Sequence, residues 1–204
     1  MKISVICGSH REHSQSHKVG RFIANHLLNT ALAEEVYLLN LASNPLPLWD
    51  ESIWAGNTDW EARLAPIRHE LQTSDGLVVI SPEWHGMVPS GLKNFFLMWG
   101  RGELAHKPGL IVAVSSGDGG AYPIAELRMS SYKNNRLCYL PEHVIVRHAE
   151  SVLNEDVAKN NVTSDAYIRE RLHYALGILR EYAVALKQVR ASGVTDLSVY
   201  KNGM

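Results

Sequence analysis

Gly76-Leu77-Val78-Val79-Ile80 is the stretch of this chain that decides its fold class. The run is apolar throughout and lacks the polar alternation of a strand that faces water on one side. Such a strand is buried on both faces, which is typical of the centre of a parallel sheet with helices on both sides. The stretch therefore predicts an α/β protein.

Strand and helix patterns alternate on either side of this run. Short apolar runs predict four further strands, at Lys2–Cys7, Val36–Leu41, Gly109–Val114 and Val144–Val146. Apolar residues at helical spacing predict helices at about 14–28, 59–72, 91–98, 121–134 and 165–190. Five strands separated by helices predict one doubly wound parallel sheet, and no linker divides residues 1–204 into separate domains.

Composition excludes several classes of protein. The chain has 204 residues, of which 46% are hydrophobic and 20% charged, an ordinary globular balance. A net charge of -1 gives no basic excess that would attract nucleic acid or a membrane surface. No apolar run approaches the ~20 residues of a membrane-spanning helix, and the apolar N-terminal run is too short for a signal peptide. Cys7 and Cys138 have no redox or metal spacing, so we expect reduced thiols in a cytosolic protein.

The loop after the first predicted strand has the chemistry of a phosphate site. It reads Gly8-Ser9-His10-Arg11-Glu12-His13-Ser14-Gln15-Ser16-His17 and leads into a helix N-terminus, where unpaired N–H groups and the helix dipole favour an anion. Ser9, Ser14 and Ser16 add hydroxyl donors, and Arg11 adds a charged fork of donors. The loop lacks the endings of nucleotide triphosphate and dinucleotide loops, so it suits one terminal phosphate. The alternative is a serine-rich helix cap with a solvated Arg11.

The loop after the central strand combines a rigid backbone with aromatic side chains. It runs from Ser81 to Asn94, and its Pro82 and Gly86 fix the chain and allow close approach of a flat ligand. Trp84 and His85 present aromatic faces where small polar residues are usual. The alternative is that Trp84 caps the core and His85 is solvated.

The loop after the fourth strand exposes backbone with little side-chain bulk. It reads Ser115-Ser116-Gly117-Asp118-Gly119-Gly120, and such a loop lets main chain lie against a planar ring. A plain glycine-rich turn is the alternative. Ligands of open parallel sheets bind outside the carboxyl ends of the strands, so we expect the three loops to form one site.

The motifs of the first two loops together resemble the NAD(P)H-dependent FMN reductase family. They are Gly-Ser-x-Arg-x-x-Ser at Gly8–Ser14, Pro-Glu-Trp-His-Gly at Pro82–Gly86 and Pro-Ser-Gly-Leu-Lys-Asn at Pro89–Asn94. The likeness runs in order from Met1 to about Val146. It implies a flavodoxin-like fold with strand order 2-1-3-4-5 that binds FMN. It also implies two-electron transfer from NADPH or NADH to a quinone, free flavin or similar acceptor, in a dimer or tetramer.

The resemblance assigns a part of FMN to each loop. The residues that would hold the cofactor are Ser9, Arg11, Ser14 and Ser16 at the phosphate, Pro82, Glu83, Trp84, His85 and Gly86 beside the isoalloxazine, and Ser115, Ser116, Gly117, Gly119 and Gly120 towards its pyrimidine end. The family usually has Tyr-Asn at the positions of Trp84 and His85. Hydride chemistry belongs to the flavin, so no side chain is named as catalytic. The ten histidines show no zinc spacing, so no metal site is predicted.

Two other functions stay open at this point. One is a one-electron carrier like the flavodoxins, and the other is an FMN-free protein that binds or hydrolyses a phosphate ester. The surface charge that steers a carrier to its partners is small here, since the net charge is -1.

Phe95-Phe96-Leu97-Met98-Trp99 suggests a contact between copies of the chain. Five consecutive large apolar residues point all round a helix, so we expect part of them at the interface of a homo-oligomer. The alternative is that the long Pro47–Gly56 loop of the same chain covers this helix. That loop carries Trp49 and Trp54 and could also cover the flavin or meet a partner subunit.

Overall fold

Five parallel strands form one sheet in the computed structural model, which describes residues 1–203. They are β1 (Lys2–Cys7), β2 (Glu35–Asn40), β3 (Gly76–Pro82), β4 (Pro108–Val114) and β5 (Cys138–Val146). Their order across the sheet is β2-β1-β3-β4-β5. The parallel sheet and the strand order are confirmed.

Helices cover both faces of the sheet. They are α1 (Gln15–Asn29), α2 (Thr58–Thr73), α3 (Ser90–Leu97), α4 (Ala121–Met129) and α5 (Val162–Ala191). Val78 and Ile80 of β3 pack in the core on the α1 and α5 side, whereas Leu77 and Val79 pack on the α2, α3 and α4 side. Because successive strand residues face opposite sides, the unbroken apolar run supplies both cores. None of these helices, within residues 1–203, is long and apolar enough to cross a membrane.

Two predicted boundaries are wrong. Helix α4 ends at Met129 and not near Asn134, because the hydroxyls of Ser130 and Ser131 bond to carbonyls one turn back and end the helix. Strand β5 begins at Cys138, six residues before the predicted start at Val144. Pro141 interrupts the apolar pattern there, and a strand can tolerate proline at the edge of a sheet.

The apolar run on α3 is covered mainly by its own chain. Phe95, Phe96, Met98 and Trp99 are buried, and only Leu97 is exposed. The side chain of Asn94 holds the preceding loop against the helix, since its Oδ1 accepts the N–H of Trp49 at 2.8 Å and its Nδ2 donates to the Pro47 carbonyl at 2.7 Å. We expected part of this run at an oligomer interface because it could not all be covered within one chain. That reason is wrong for four of the five residues, which are buried within their own chain.

A buried lysine at the start of β4 caps helix α2. Lys107 is 4% exposed, and its Nζ donates to the carbonyls of Leu71 and Gln72 at 2.5 and 2.9 Å, where a helix C-terminus attracts a cation. Burial is the main cause that lowers the pKa of Lys107 from 10.5 to about 8, and nearby Arg190 lowers it further.

This lowered pKa predicts a pH-dependent contribution to stability. Between about pH 8 and 10.5 the unfolded chain holds the Lys107 proton and the folded chain releases it. The contribution of this group to the free energy of unfolding therefore rises with pH across that window. We measure the unfolding free energies of the parent protein and of Lys107→Met by urea titration. The value for the parent minus the value for the variant should increase from pH 7.5 to 10.

Other groups in the protein lower its stability as the pH rises, and comparing the parent with Lys107→Met at the same pH cancels their contribution. Burial raises the pKa of Cys7 to about 12 and also raises that of Tyr139, which lowers stability at high pH equally in both proteins. The exposed Lys159→Met variant is the matched control for the removal of one lysine. A difference between Lys107→Met and the parent that does not change with pH would contradict the prediction.

Candidate functional site

Three loops meet at the carboxyl edge of the sheet, where β1, β3 and β4 end side by side. The Gly8 N–H donates to the Ile80 carbonyl at 2.8 Å, and the Glu83 N–H donates to the Val114 carbonyl at 3.2 Å. The rings of His10 and Trp84 meet edge to face, with centroids 4.6 Å apart. The loops predicted to form one site are thus in direct contact.

The first loop enters α1 with an unusual set of serines. Ser14 is the N-cap, and its Oγ accepts the His17 N–H at 3.1 Å. The Oγ of Ser9 accepts the Arg11 N–H at 3.3 Å. The Oγ of Ser16 is buried and has no hydrogen-bond partner among the described residues. Since a buried hydroxyl without a partner is destabilising, Ser16 calls for a ligand or water at this position.

Charge at this helix N-terminus favours an anion. The first turn of α1 holds no acidic residue, and the exposed Arg11 side chain makes no ion pair within residues 1–203. Burial is the main cause that lowers the pKa of His17, and the nearby charge of Arg21 lowers it further, so the ring loses its proton more readily than an exposed histidine does. Arg11 is therefore the permanent positive charge closest in sequence to the cap.

Backbone packing brings the first loop close to α3. A Cβ at Gly8 would lie 2.6 Å from Cδ2 of Leu92 and 2.7 Å from the Ile80 carbonyl oxygen, so no side chain fits there. The glycine therefore lets the chain turn directly from the sheet edge into the first loop.

Lys18 has a structural role that the sequence analysis missed. Its Nζ donates to the carbonyls of Ala149 and Val152 and to Oδ1 of Asn154, at 2.5 to 2.9 Å. Burial is the main cause that lowers its pKa. These bonds tie α1 to the segment after β5, so this ammonium is directed away from the first loop. No local pattern in the sequence indicates acceptors 131 residues away.

The second loop contains a tight hairpin with a two-residue turn. Trp84 and Met87 exchange both backbone hydrogen bonds, at 3.1 and 2.9 Å. His85 and Gly86 between them have φ angles of +50° and +72°, the left-handed pair of a type I′ turn. Asn-Gly is the preferred pair in this turn, and histidine is among the residues that tolerate the conformation. His85 is exposed and Trp84 is half-buried against His10.

The third loop is held by a carboxylate from the second. Glu83 Oε2 accepts the N–H of Gly120, which has a φ of +108°. A Cβ at Gly120 would lie 2.3 Å from Cγ2 of Ile145, so this position requires glycine. The opposite holds at Gly117, where a Cβ would meet nothing within 4 Å.

Residues after β5 brace the same loop and were also missed from the sequence. Arg147 Nε donates to the Gly119 carbonyl at 3.1 Å. Nε2 of His148 lies 2.9 Å from the carboxylate Oδ1 of Asp118. The Ser115 hydroxyl accepts the Gly117 N–H at 3.2 Å, while Ser116 is exposed. The third loop is therefore fixed by contacts on both sides.

The predicted residues divide into two groups. Ser14, Glu83, Ser115 and Gly120 have partners in the protein and shape the loops. The hydroxyl of Ser16, the guanidinium of Arg11 and the N–H groups of His85 and Gly86 have no acceptor among residues 1–203. Within residues 1–203 no group of three or more His, Cys, Asp or Glu side chains could hold a metal ion.

Comparison with known proteins gives consistent matches. The sequence profile described as NADPH-dependent FMN reductase matches residues 1–151. The chain is 30% identical to an NADPH azoreductase of Bacillus sp. (strain OY1-2) over 59% of its own length and 62% of the azoreductase. It is 26% identical to a 2-hydroxy-1,4-benzoquinone reductase of Burkholderia sp. over 81% of its length and 87% of that reductase.

A solved structure shares the fold. The flavoenzyme NAD(P)H:(acceptor) oxidoreductase FerB from Paracoccus denitrificans superposes with a TM-score of 0.66 and 20% identity, over 92% of this chain and 97% of FerB. At this identity the likeness establishes the flavodoxin-like fold alone. The profile match, in contrast, covers well over half of the chain and contains all three loops. The chain belongs to the NADPH-dependent FMN reductase family.

Proposed function

We propose that the protein is an oxidoreductase that uses FMN to pass two electrons from NAD(P)H to a quinone, free flavin or similar acceptor. Family membership supports FMN as the cofactor and NAD(P)H as the donor. The names of two relatives, a benzoquinone reductase and an azoreductase, support a small conjugated acceptor. The chain matches less than two thirds of the azoreductase, so the choice of acceptor is part of the proposal.

The observation that carries this proposal is the buried, unpartnered hydroxyl of Ser16 at the N-terminus of α1. A phosphate monoester would accept hydrogen bonds from that hydroxyl, from the helix N–H groups and from the Arg11 guanidinium. Gly117 in the third loop is half-buried and has open space where a Cβ would lie, so the main chain there can be approached by a ligand. The residues present therefore fit FMN.

Each part of the site has a role in this proposal. Bound FMN supplies the hydride and electron chemistry. Ser9, Arg11 and Ser16 bind its phosphate, and the N–H groups of His85 and Gly86, which have no acceptor among residues 1–203, orient its ring. Glu83 keeps the third loop in place through Gly120. No side chain is required as acid or base, so position and exclusion of water are what the protein contributes.

A spectrum followed by an enzyme assay tests the function. Purified protein supplemented with FMN and then desalted should retain the absorption bands of bound flavin. Under anaerobic conditions NADPH should bleach those bands, and 1,4-benzoquinone should restore them. A protein that retains no flavin would favour the phosphate-ester alternative. Bound flavin that NADPH cannot reduce would favour a one-electron carrier.

Alanine variants of Ser16 and Ser14 should distinguish an effect on FMN binding from an effect on the stability of the fold. Ser16→Ala should lower FMN affinity by roughly tenfold without lowering the unfolding free energy of FMN-free protein, because the lost hydroxyl had no partner. Ser14→Ala should lower that free energy by about 0.5–2 kcal/mol, because it removes the N-cap of α1. Isothermal titration and urea unfolding measure the two effects. Equal effects of both variants on stability would contradict this assignment.

A homodimer is also part of the proposal, on a surface we call the α3–α4 face. The ion pair between Lys93 and Glu126 joins the two helices at 2.5 Å. Leu97, one turn from Lys93, and Tyr122 and Met129, one turn either side of Glu126, are 61, 69 and 79% exposed. An exposed apolar surface of this kind marks an interface. A light-scattering mass near that of one 22.7 kDa chain would contradict the dimer.

The thiols support a cytosolic location. Cys7 is buried, Cys138 is half-buried, and both are free. Unpaired cysteines are usual where glutathione keeps thiols reduced.

A further inference from the structure

We propose that His26 and His173 form an acid-sensitive latch between α1 and α5, which is closed at neutral pH and opens when both rings are protonated. Nε2 of His26 lies 3.0 Å from Nδ1 of His173, and the two rings meet edge to face with centroids 5.2 Å apart. His26 is half-buried and His173 is exposed. The latch lies on the α1 and α5 side of the sheet, opposite the α3–α4 face.

The two facing nitrogens can share one proton but not two. A neutral imidazole has one N–H and one lone pair, so one ring of the latch donates and the other accepts. A first added proton can go to the outer nitrogen of the donor ring, and the hydrogen bond between the rings is kept. A second added proton places an N–H on both facing nitrogens, which leaves no acceptor between them. The contact is therefore lost in the second of two coupled titration steps.

The surroundings of His26 favour its neutral form. Burial is the main cause that lowers the pKa of His26 from its ordinary value of 6.5, and the nearby His173 and Arg169 lower it further. The Phe22 ring is stacked on His26 with centroids 5.7 Å apart, and the Arg169 guanidinium lies 4.8 Å from the centre of the Phe22 ring. Arg169 itself pairs with Asp165 at 2.7 Å.

Other charged groups near the latch are already paired. His26 and Arg169 line a cavity of about 1030 Å³ between α1 and the segment after β5. Of the same lining, α1 contributes His17, Lys18 and Arg21, and the segment after β5 contributes Glu155, Asp156 and Lys159. Glu155 pairs with Arg21 at 2.5 Å, and Asp156 pairs with Lys159 at 3.7 Å. The first loop adds Glu12 and His13, which precede the other end of α1.

Neither ring of the latch has a carboxylate partner. Within residues 1–203 the histidine that forms an ion pair is His148, with Asp118. Glu170 lies one turn before His173 on α5 and does not pair with it. Two positive rings would therefore face each other without an anion between them, and they would repel.

Opening of the latch is a local event. Ile23 and Leu27 of α1 are buried in the core, and Lys18 bonds to the carbonyls of Ala149 and Val152. These contacts contain no histidine, so they hold most of α1 in place when the rings are protonated. The part that is released is the last turn of α1, where His26 lies.

A double-mutant cycle at two pH values tests the latch. The variants are His26→Ala, His173→Ala and the protein with both, and urea unfolding of the full chain without FMN measures their stability. At pH 7.5 the coupling between the two positions should favour the folded state by roughly threefold or more. The unfolded chain binds more protons than the folded chain as the pH falls below 6.5, because the pKa of His26 is lowered by folding. At pH 5 the coupling should therefore vanish or change sign.

A control and a second measurement locate the effect. His69→Ala removes an exposed histidine from α2 and should keep the pH dependence of the parent. EDTA in every sample excludes a metal ion bound between the two rings. In the parent, amides in the last turn of α1 should lose hydrogen-exchange protection relative to α2 between pH 7.5 and pH 5. In His173→Ala this relative protection should be the same at both pH values.

Two outcomes would overturn the latch. One is a coupling between His26 and His173 that is equal at pH 7.5 and pH 5, including no coupling at either. The other is the same pH-dependent exchange in His173→Ala as in the parent. Neither measurement uses FMN, NADPH or a quinone, so the result does not depend on the proposed function.

Discussion

The Arg11→Ala protein should bind FMN roughly ten- to a hundredfold more weakly than the parent protein, because a charge-assisted hydrogen bond contributes about 1.5–3 kcal/mol. Arg11 is exposed, makes no ion pair within residues 1–203 and lies just before the N-terminus of α1. Its fork of donors suits a phosphate better than a point charge does. We therefore expect Arg11→Lys to bind with an affinity between those of the parent and the alanine variant.

Fluorescence titration of FMN-free protein with FMN measures this effect. Arg21→Ala is the matched control, since Arg21 lies on α1, the helix that follows the Arg11 loop, and pairs with Glu155 on the surface. Its FMN affinity should be unchanged. Riboflavin, which lacks the phosphate, should bind all these proteins weakly and equally. Equal affinity of the parent for riboflavin and FMN would remove the basis for a phosphate site.

The second large effect concerns the backbone of the third loop. Gly120→Ala should lower the free energy of unfolding by about 2–4 kcal/mol, through a strained positive φ and a clash in the core. The added Cβ would lie 2.3 Å from Ile145 Cγ2 at a φ of +108°. Loss of this geometry also moves the N–H that Glu83 holds. We expect weaker FMN binding in the same variant.

Gly117→Ala provides the control in the same loop. Its Cβ would meet nothing within 4 Å, and its φ is not in the left-handed region. Its stability should therefore match the parent or exceed it by about 0.4–1 kcal/mol, because alanine restricts the unfolded chain. Urea unfolding of both FMN-free variants measures the contrast. Two alanine variants of similar stability would show that the loop relaxes around Gly120.

The parts of the fold set by local pattern could be predicted from the sequence. The apolar run of β3 supplies both cores, and its burial on both faces follows from the absence of polar alternation. The helix after β1 was predicted from apolar residues at helical spacing, and the structure has it at Gln15–Asn29 with Ser14 as its N-cap. Local hydrogen bonding and alternation are properties of neighbouring residues, so the sequence displays them directly.

Features that depend on distant partners could not be predicted in this way. Asn94 covers α3 by bonding to a loop 45 residues earlier, so the apolar helix does not need a partner subunit there. The Lys18 ammonium is tied to carbonyls after β5. Of the candidate site, the convergence of the three loops was predicted, but the bracing by Arg147 and His148 was not.

Pro141 has a consequence for how this chain behaves at high concentration. β5 is an edge strand, and such an edge can recruit strands from other molecules and start aggregation. Pro141 has no N–H to offer an incoming strand, and its carbonyl already accepts from Arg128 at 2.9 Å. Glu142 beside it is charged and paired with Arg171. Pro141 and Glu142, which interrupt the apolar pattern of β5 in the sequence, thus also protect this sheet edge from pairing with other molecules and growing into a fibre.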